Sequence, residues 1–284
     1  LGDVYKRQVL DRDPNARDHT CVKKEELVPT TLQLIKAIMR RLAAAHETMG
    51  NAEFKELETT LGWTYKPGSL MLDPNLVDKV DPTKHALFDW MHVYMVSGIF
   101  GMHFGQMMIA LKRFGITYKV LDEYISLWSW PKHVRTNTGK DAFGPKRGKA
   151  SWEAEALKVT ASEGRSLFPI VANYVQEACA TSEQAEVRRH AECFLALVRV
   201  IELLERCARG VDPDELEQAI VKHLTMFKEL YGAECMVIKF HMALDLAAFV
   251  RRGGFIPNCY VNERKHRLAI RFGDNLTNTS TGYD

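Results

Sequence analysis

The chain has 284 residues, 46% hydrophobic and 26% charged, a balance that supports a packed core and excludes a wholly disordered chain. Its formal net charge is +2, so no global field selects a nucleic acid or a membrane, and any such contact has to come from local patches. The length suits one large domain or two modest ones. Six cysteines, at 21, 179, 193, 207, 235 and 259, form no Cys-x-x-Cys pair. They point to a reducing compartment, with no disulfide frame and no zinc knuckle. The most apolar stretch, Val93 to Leu111, is broken by His103, Gln106 and glycines, so no membrane span is expected. No signal peptide is read either, which places the chain in the nucleus or cytoplasm.

In chain order, Leu1 to Gln8 has no periodicity, and the first residue is not Met. It reads as run-through from a library adaptor ahead of an incomplete frame. Glu25 to His46 carries Leu32, Ile35, Ile38, Met39 and Leu42 at helical spacing. Thr30 and Thr31 are its candidate caps. Ala52 to Leu61 predicts a shorter helix stopped by Gly62. Trp63 to Pro82, with Pro67, Gly68 and Pro74, reads as an extended connector. His85 to Phe88 is a candidate strand, Met91 to Phe114 a long apolar helix stopped by Gly115, and Tyr118 to Trp128 a further helix. From Lys132 to Ala150, Lys132, Arg135, Lys140, Lys146, Arg147 and Lys149 stand among three glycines with one acid, Asp141, and predict a mobile basic loop. Glu153 to Cys179 reads as helix interrupted near Gly164 and Pro169, and Glu183 to Arg209 as one strong helix. Asp212, Pro213 and Glu215 form a capping arrangement for a helix to Tyr231. Cys235 to Val250 reads as a strand or helix start followed by helix, broken by Gly253 and Gly254. Asn262 to Phe272 predicts a short charged helix, and 273 to 284 a polar tail.

Two features carry chemistry. Asp89 and His92 stand one helical turn apart, so both can face one side if Asp89 opens a helix. A carboxylate ahead of a helix with an imidazole one turn on can hold a divalent metal or a phosphate. It can equally be an N-cap beside a core histidine. The cations of the 132–149 stretch can track DNA phosphates without sequence preference, with Trp128 and Trp130 stacking on unpaired bases. The alternative is a solvated linker with both tryptophans packed in the core.

Phe88-Asp89-Trp90-Met91-His92 resembles the Asp-x-Met-His block of CACTA-type (En/Spm-like) DNA transposases and related algal and fungal transposon proteins. Leu61-Gly62-Trp63-Thr64-Tyr65 with Pro67-Gly68-Ser69-Leu70 is similar to the segment upstream of it. Lys239-Phe240-His241-Met242-Ala243-Leu244 resembles their Lys-x-His block, with Asp245 where many relatives carry a second His. Asn258 to Arg267 resembles the block that carries the third catalytic carboxylate, here Glu263 preceded by Asn262. Together the matches span about residues 50 to 275.

The resemblance implies a mainly α chain with a partial ribonuclease H-like core split by a large α-helical insertion. It divides the chain into 9–81, an N-terminal helical segment and connector; 82–114, the core around Asp89; 115–235, the insertion with the basic loop 132–150; 236–273, the core around Glu263; and 274–284, a tail. In such a core three carboxylates hold two Mg²⁺ or Mn²⁺ ions that drive in-line attack on a phosphodiester. Asp89 and Glu263 would be ligands and His92 a catalytic neighbour. Lys239, His241, Arg264 and His266 would stand behind them as orienting groups. The Glu263 segment also reads as a solvated charged helix face. No Asp between 9 and 88 follows a convincing buried strand, so the first carboxylate is expected to be missing and the chain inactive alone. Transposon-end DNA is the implied partner, with a homo-oligomer as an option. The rival reading is a non-enzymatic helical scaffold that binds DNA or protein.

Overall fold

Helices form where the sequence supplies both a cap and an apolar stripe. α1, Leu32–Thr48, starts at Thr31, whose hydroxyl accepts the Leu34 N–H (3.2 Å). α2, Asn51–Leu61, ends at Gly62, which takes φ 68° and closes the helix on the Glu58 carbonyl. Ile35, Ile38, Met39, Leu42, Leu61 and Met71 form a small core of their own beneath these two helices. The connector after Gly62 is a chain of turns (Ser69 N–H to Lys66 C=O, Leu72 N–H to Ser69 C=O) rather than an extended segment. The computed structural model of the chain describes residues 20–23, 30–130 and 141–257. Among these it is mainly helical, with no strand.

The second and larger core begins after a single turn, α3, Pro82–His85. The expected strand at 85–88 is instead an extended approach to α4, Trp90–Tyr94. The expected long helix over 91–114 is two helices, because the chain breaks at Met95–Gly98 before α5, Ile99–Leu111. The whole stretch Trp90–Phe114 has the length and apolarity of a membrane-crossing helix (mean hydropathy 1.2), contrary to the sequence expectation, but 67% of that window is buried inside the bundle.

α6, Tyr118–Ser126, leads toward the basic stretch. Its second half is not a loop: Pro145 opens α7, Pro145–Glu153. α8, Ala161–Tyr174, has a complete capping box between Thr160 and Glu163, and runs on as one π-helical turn over Val175–Cys179. Gly164 and Pro169 lie inside α8 and do not interrupt it. Pro169 removes one helix hydrogen bond, at a cost of about 3 kcal/mol. Burial of Leu167, Phe168, Ile170 and Val171 around it offsets that cost, at about 1.5–3 kcal/mol for each large side chain.

α9, Ala185–Arg206, and α10, Pro213–Tyr231, pack antiparallel: Arg199 pairs with Glu215 near one end, and His190 with Tyr231 near the other. The Asp212 carboxylate caps α10 as the sequence predicts, accepting the Asp214 N–H (2.9 Å). α5 lies across this pair, with Phe100 and Phe104 against Phe194 of α9. α11, Ile238–Ala243, packs on α4, and α12, Leu246–Gly253, on α10. Cys179, Cys193 and Cys207 are free and buried in this core; burial pushes their thiols up, to about 11, 12 and 11.

Candidate functional site

Asp89 sits in extended backbone (φ −77°, ψ 116°) at the N-cap of α4. Its Oδ1 accepts the Met91 N–H at 2.9 Å, and its Oδ2 faces His92 Nδ1 in a short contact. Both carboxylate oxygens are therefore engaged within one helical turn. Trp90 and Met91 between them point into the core, which fixes the turn's orientation and leaves the Asp89 side chain 10% and the His92 side chain 45% exposed. The Asp89–His92 spacing thus yields one face, as the sequence predicts, and an N-cap at the same time.

The end of α4 explains its shortness. Ser97 takes φ 42°, in the left-handed region that costs a side-chain-bearing residue energy. At Gly98 an added Cβ would stand 2.4 Å from the Val93 carbonyl oxygen, so only glycine fits. The Lys239 ammonium of α11 donates to the His92 carbonyl (2.9 Å) and to the Val96 carbonyl, filling acceptors that a helix end leaves open. Burial holds the Lys239 amine below its usual range. His241, two residues on, is buried beneath the same corner.

A third segment reaches this corner. The Trp90 N–H donates to the carbonyl of Pro257 (3.3 Å). Three segments far apart in sequence, 88–92, 239–241 and 256–257, thus meet around α4, Pro257 at its start and Lys239 at its end. Glu263, Arg264 and His266 lie outside the described residues, as do Lys132, Arg135 and Lys140.

The remaining basic residues sit on α7 and serve different ends. Arg147 makes a bidentate pair with Glu163 (2.9 and 3.0 Å) and donates to the Lys158 carbonyl (3.0 Å), clamping α7 to the cap of α8. That guanidinium holds the Glu163 carboxyl below its usual range. Lys149 stands 3.7 Å from Glu153 one turn on, and Lys146 is exposed. Trp128 is half exposed, its ring edge-on to Tyr124, whereas Trp130 packs partly against the core.

A metal centre needs more donors than this corner supplies. Among the described residues no group of three or more His, Cys, Asp or Glu side chains converges on one point. Asp89 and His92 are two donors turned toward each other, so the described residues by themselves do not fit a two-metal site. What the sequence does not single out is a buried polar cluster elsewhere: His103 on α5, His190 on α9, and His223 and Tyr231 on α10. Its one sequence signal is a histidine inside an apolar helix, and its partners stand up to 120 residues away. No family model, no curated protein and no solved structure matches the chain.

Proposed function

We propose that the chain is a piece of a transposon-derived DNA transposase, contributing a helical body and one corner of a ribonuclease H-like catalytic core. The observation that carries this reading is the contact of two of the resembling blocks at α4, with Pro257, the residue just ahead of the third, bonded beside them. Lys239 from the Lys-x-His block holds the His92 carbonyl, and the chain leading to Glu263 leaves from Pro257, bonded to Trp90. Two of the resembling blocks, 88–92 and 239–244, are in contact, and the chain enters the third beside them. In this reading Asp89 supplies one carboxylate, Glu263 another, and a segment upstream of this chain the third. Mg²⁺ or Mn²⁺ would be held only by the completed set. This chain's own residues keep the corner in shape: Asp89 caps α4 and orients His92, and Lys239 fixes the turn after it. Lys146 and Lys149, with the cations of 132–140, would meet DNA phosphates.

The test is metal-dependent cleavage of transposon-end DNA by a longer reading frame. Asn is as good a helix cap as Asp, so Asp89→Asn keeps the cap and removes the negative charge. Its cleavage rate is expected to fall roughly a thousandfold with thermal stability unchanged. An extended frame that cuts nothing with either metal, or an Asp89→Asn variant that cuts normally, overturns the reading.

A second reading is favoured by the closure of Asp89 on its own turn and by a described body without strands. It is a helical scaffold of the same origin that binds DNA without cutting it. Salt-dependent DNA binding that survives Asp89→Asn, with no cleavage by the extended frame, selects it.

A further inference from the structure

Three helices meet around two imidazoles that the apolar core encloses completely. His103 of α5 and His223 of α10 are both 0% exposed. Their rings are nearly parallel (22°), with His103 Nδ1 3.0 Å from His223 Nε2. One of those nitrogens donates and the other accepts, so two neutral rings satisfy the bond. The outer nitrogens, His103 Nε2 and His223 Nδ1, are buried with no hydrogen-bond partner among the described residues. One of them is then an open lone pair and the other an open N–H.

The surroundings carry no compensating charge. Phe194 of α9 and Phe227 of α10 pack edge-on to His103, and Tyr231 lies 5.4 Å from it, centroid to centroid. His190 of α9, 4% exposed, holds the Tyr231 hydroxyl through Nδ1 (2.9 Å). The charged groups that act on this cluster are Arg113, just after α5, and Arg189 of α9, both on His190. Glu186 of α9 stands 4.0 Å from His190 Nε2 but is also held by Arg113. Cys193 of α9 and Cys235, just after α10, face Tyr231, and burial keeps both thiols neutral. No carboxylate pairs with His103 or His223 among the described residues.

We infer that the His103–His223 pair, with His190 and Tyr231 beside it, is an acid-sensitive latch. It joins α5 to α9 and α10 while the rings are neutral and releases them when the rings take up protons. A proton on the open lone pair places a full charge in an apolar core with no counter-charge, which strongly disfavours the closed bundle. Burial accordingly holds His103 well below the usual histidine range, and His223 down to about 3. His190 is lowered to about 4, by burial first and then by Arg113 and Arg189. In the opened chain each ring titrates near its ordinary value of about 6.5. The opened state therefore binds more protons throughout the window from about 6.5 down to the folded values. Stability is full above that window and is lost as pH falls through it. Each imidazole shifts the open-to-closed ratio about tenfold per pH unit, and the three together about a thousandfold.

Urea unfolding of the full chain between about pH 7.5 and pH 4.5, compared with a His103→Phe/His223→Leu variant, reads this directly. Replacing both partners of a buried polar pair with apolar groups can be close to neutral for stability, so the variant has a route to folding. The wild-type equilibrium is expected to shift about a hundredfold more per pH unit than the variant's. Equal slopes overturn the latch. Should the variant not fold, the wild-type imidazole resonances serve instead. The latch requires His103 and His223 to stay neutral until amide protection of α5 is lost, ahead of that of α1. Titration of either ring near 6.5 in a chain whose α5 remains protected overturns it.

Discussion

The segment from α1 to Val80 and the bundle from α4 to α12 solve the same problem in different ways. The first has six buried apolar side chains, too few to hold it by burial alone in a segment of this size. Partly buried apolar side chains such as Phe54, Leu57, Trp63 and Leu72 pack against these, and polar ties add to them. Glu58, itself buried, accepts the Tyr65 N–H at 2.6 Å, and Lys36 pairs with Asp78 across the connector. The Lys36 ammonium holds the Asp78 carboxyl below its usual range. The rings of His46, Phe54 and Tyr65 cluster at the junction, Phe54 edge-on to both of the others. The bundle buries whole faces of four long helices, α5, α8, α9 and α10, and carries histidines and a proline inside them. Both segments bury polar groups, but in the small one Glu58 and Lys36 are each tied to a partner, whereas the bundle encloses imidazole nitrogens that have none among the described residues.

Breaking the larger core should have the largest effect. Phe194→Ala removes a fully buried ring that touches both Phe100 and Phe104, and about 3–5 kcal/mol of bundle stability should go with it in urea unfolding. Leu42→Ala is next, at about 2–5 kcal/mol, but the loss should fall on residues 32–80. Amide exchange should show α1 and α2 opening while the bundle transition stays in place, and a single joint transition would show that the two cores are one cooperative unit. Glu58→Ala strands the Tyr65 N–H and should cost about 1–3 kcal/mol in the same region. Asp212→Ala removes the α10 cap and should lower the thermal midpoint of the bundle by an amount equivalent to about 1 kcal/mol.

Elements with local causes were legible in the sequence. Gly62 after α2, Asp212 and Pro213 before α10, and the stripe of α9 each carry their own start or stop within a few residues. The break between α4 and α5 was hidden in an apolar run, because its stabilising donor, Lys239, comes from 143 residues further on. α7 read as a loop because its glycines and charges outweighed the Pro145 start signal, while the Arg147–Glu163 clamp that secures it is tertiary. The Asp89–His92 face was legible because both residues lie in one turn. That the same carboxylate also caps the helix was readable as the alternative, and the cap is what the turn shows. The His103–His223 pair was not legible, since nothing local in α5 or α10 says that these two faces meet.

The bond between Trp90 and Pro257 has a topological consequence. It brings the first residue of α4 within one hydrogen bond of the last described residue, so the two ends of the 90–257 stretch lie at a single corner. A body with adjoining ends can be spliced into a loop of another domain without prying that domain apart. It also offers a natural site for reconnection: joining the two ends through a short linker and reopening the chain in an exposed connector, such as at Gly210 before α10, should leave the packing of α5, α9 and α10 intact.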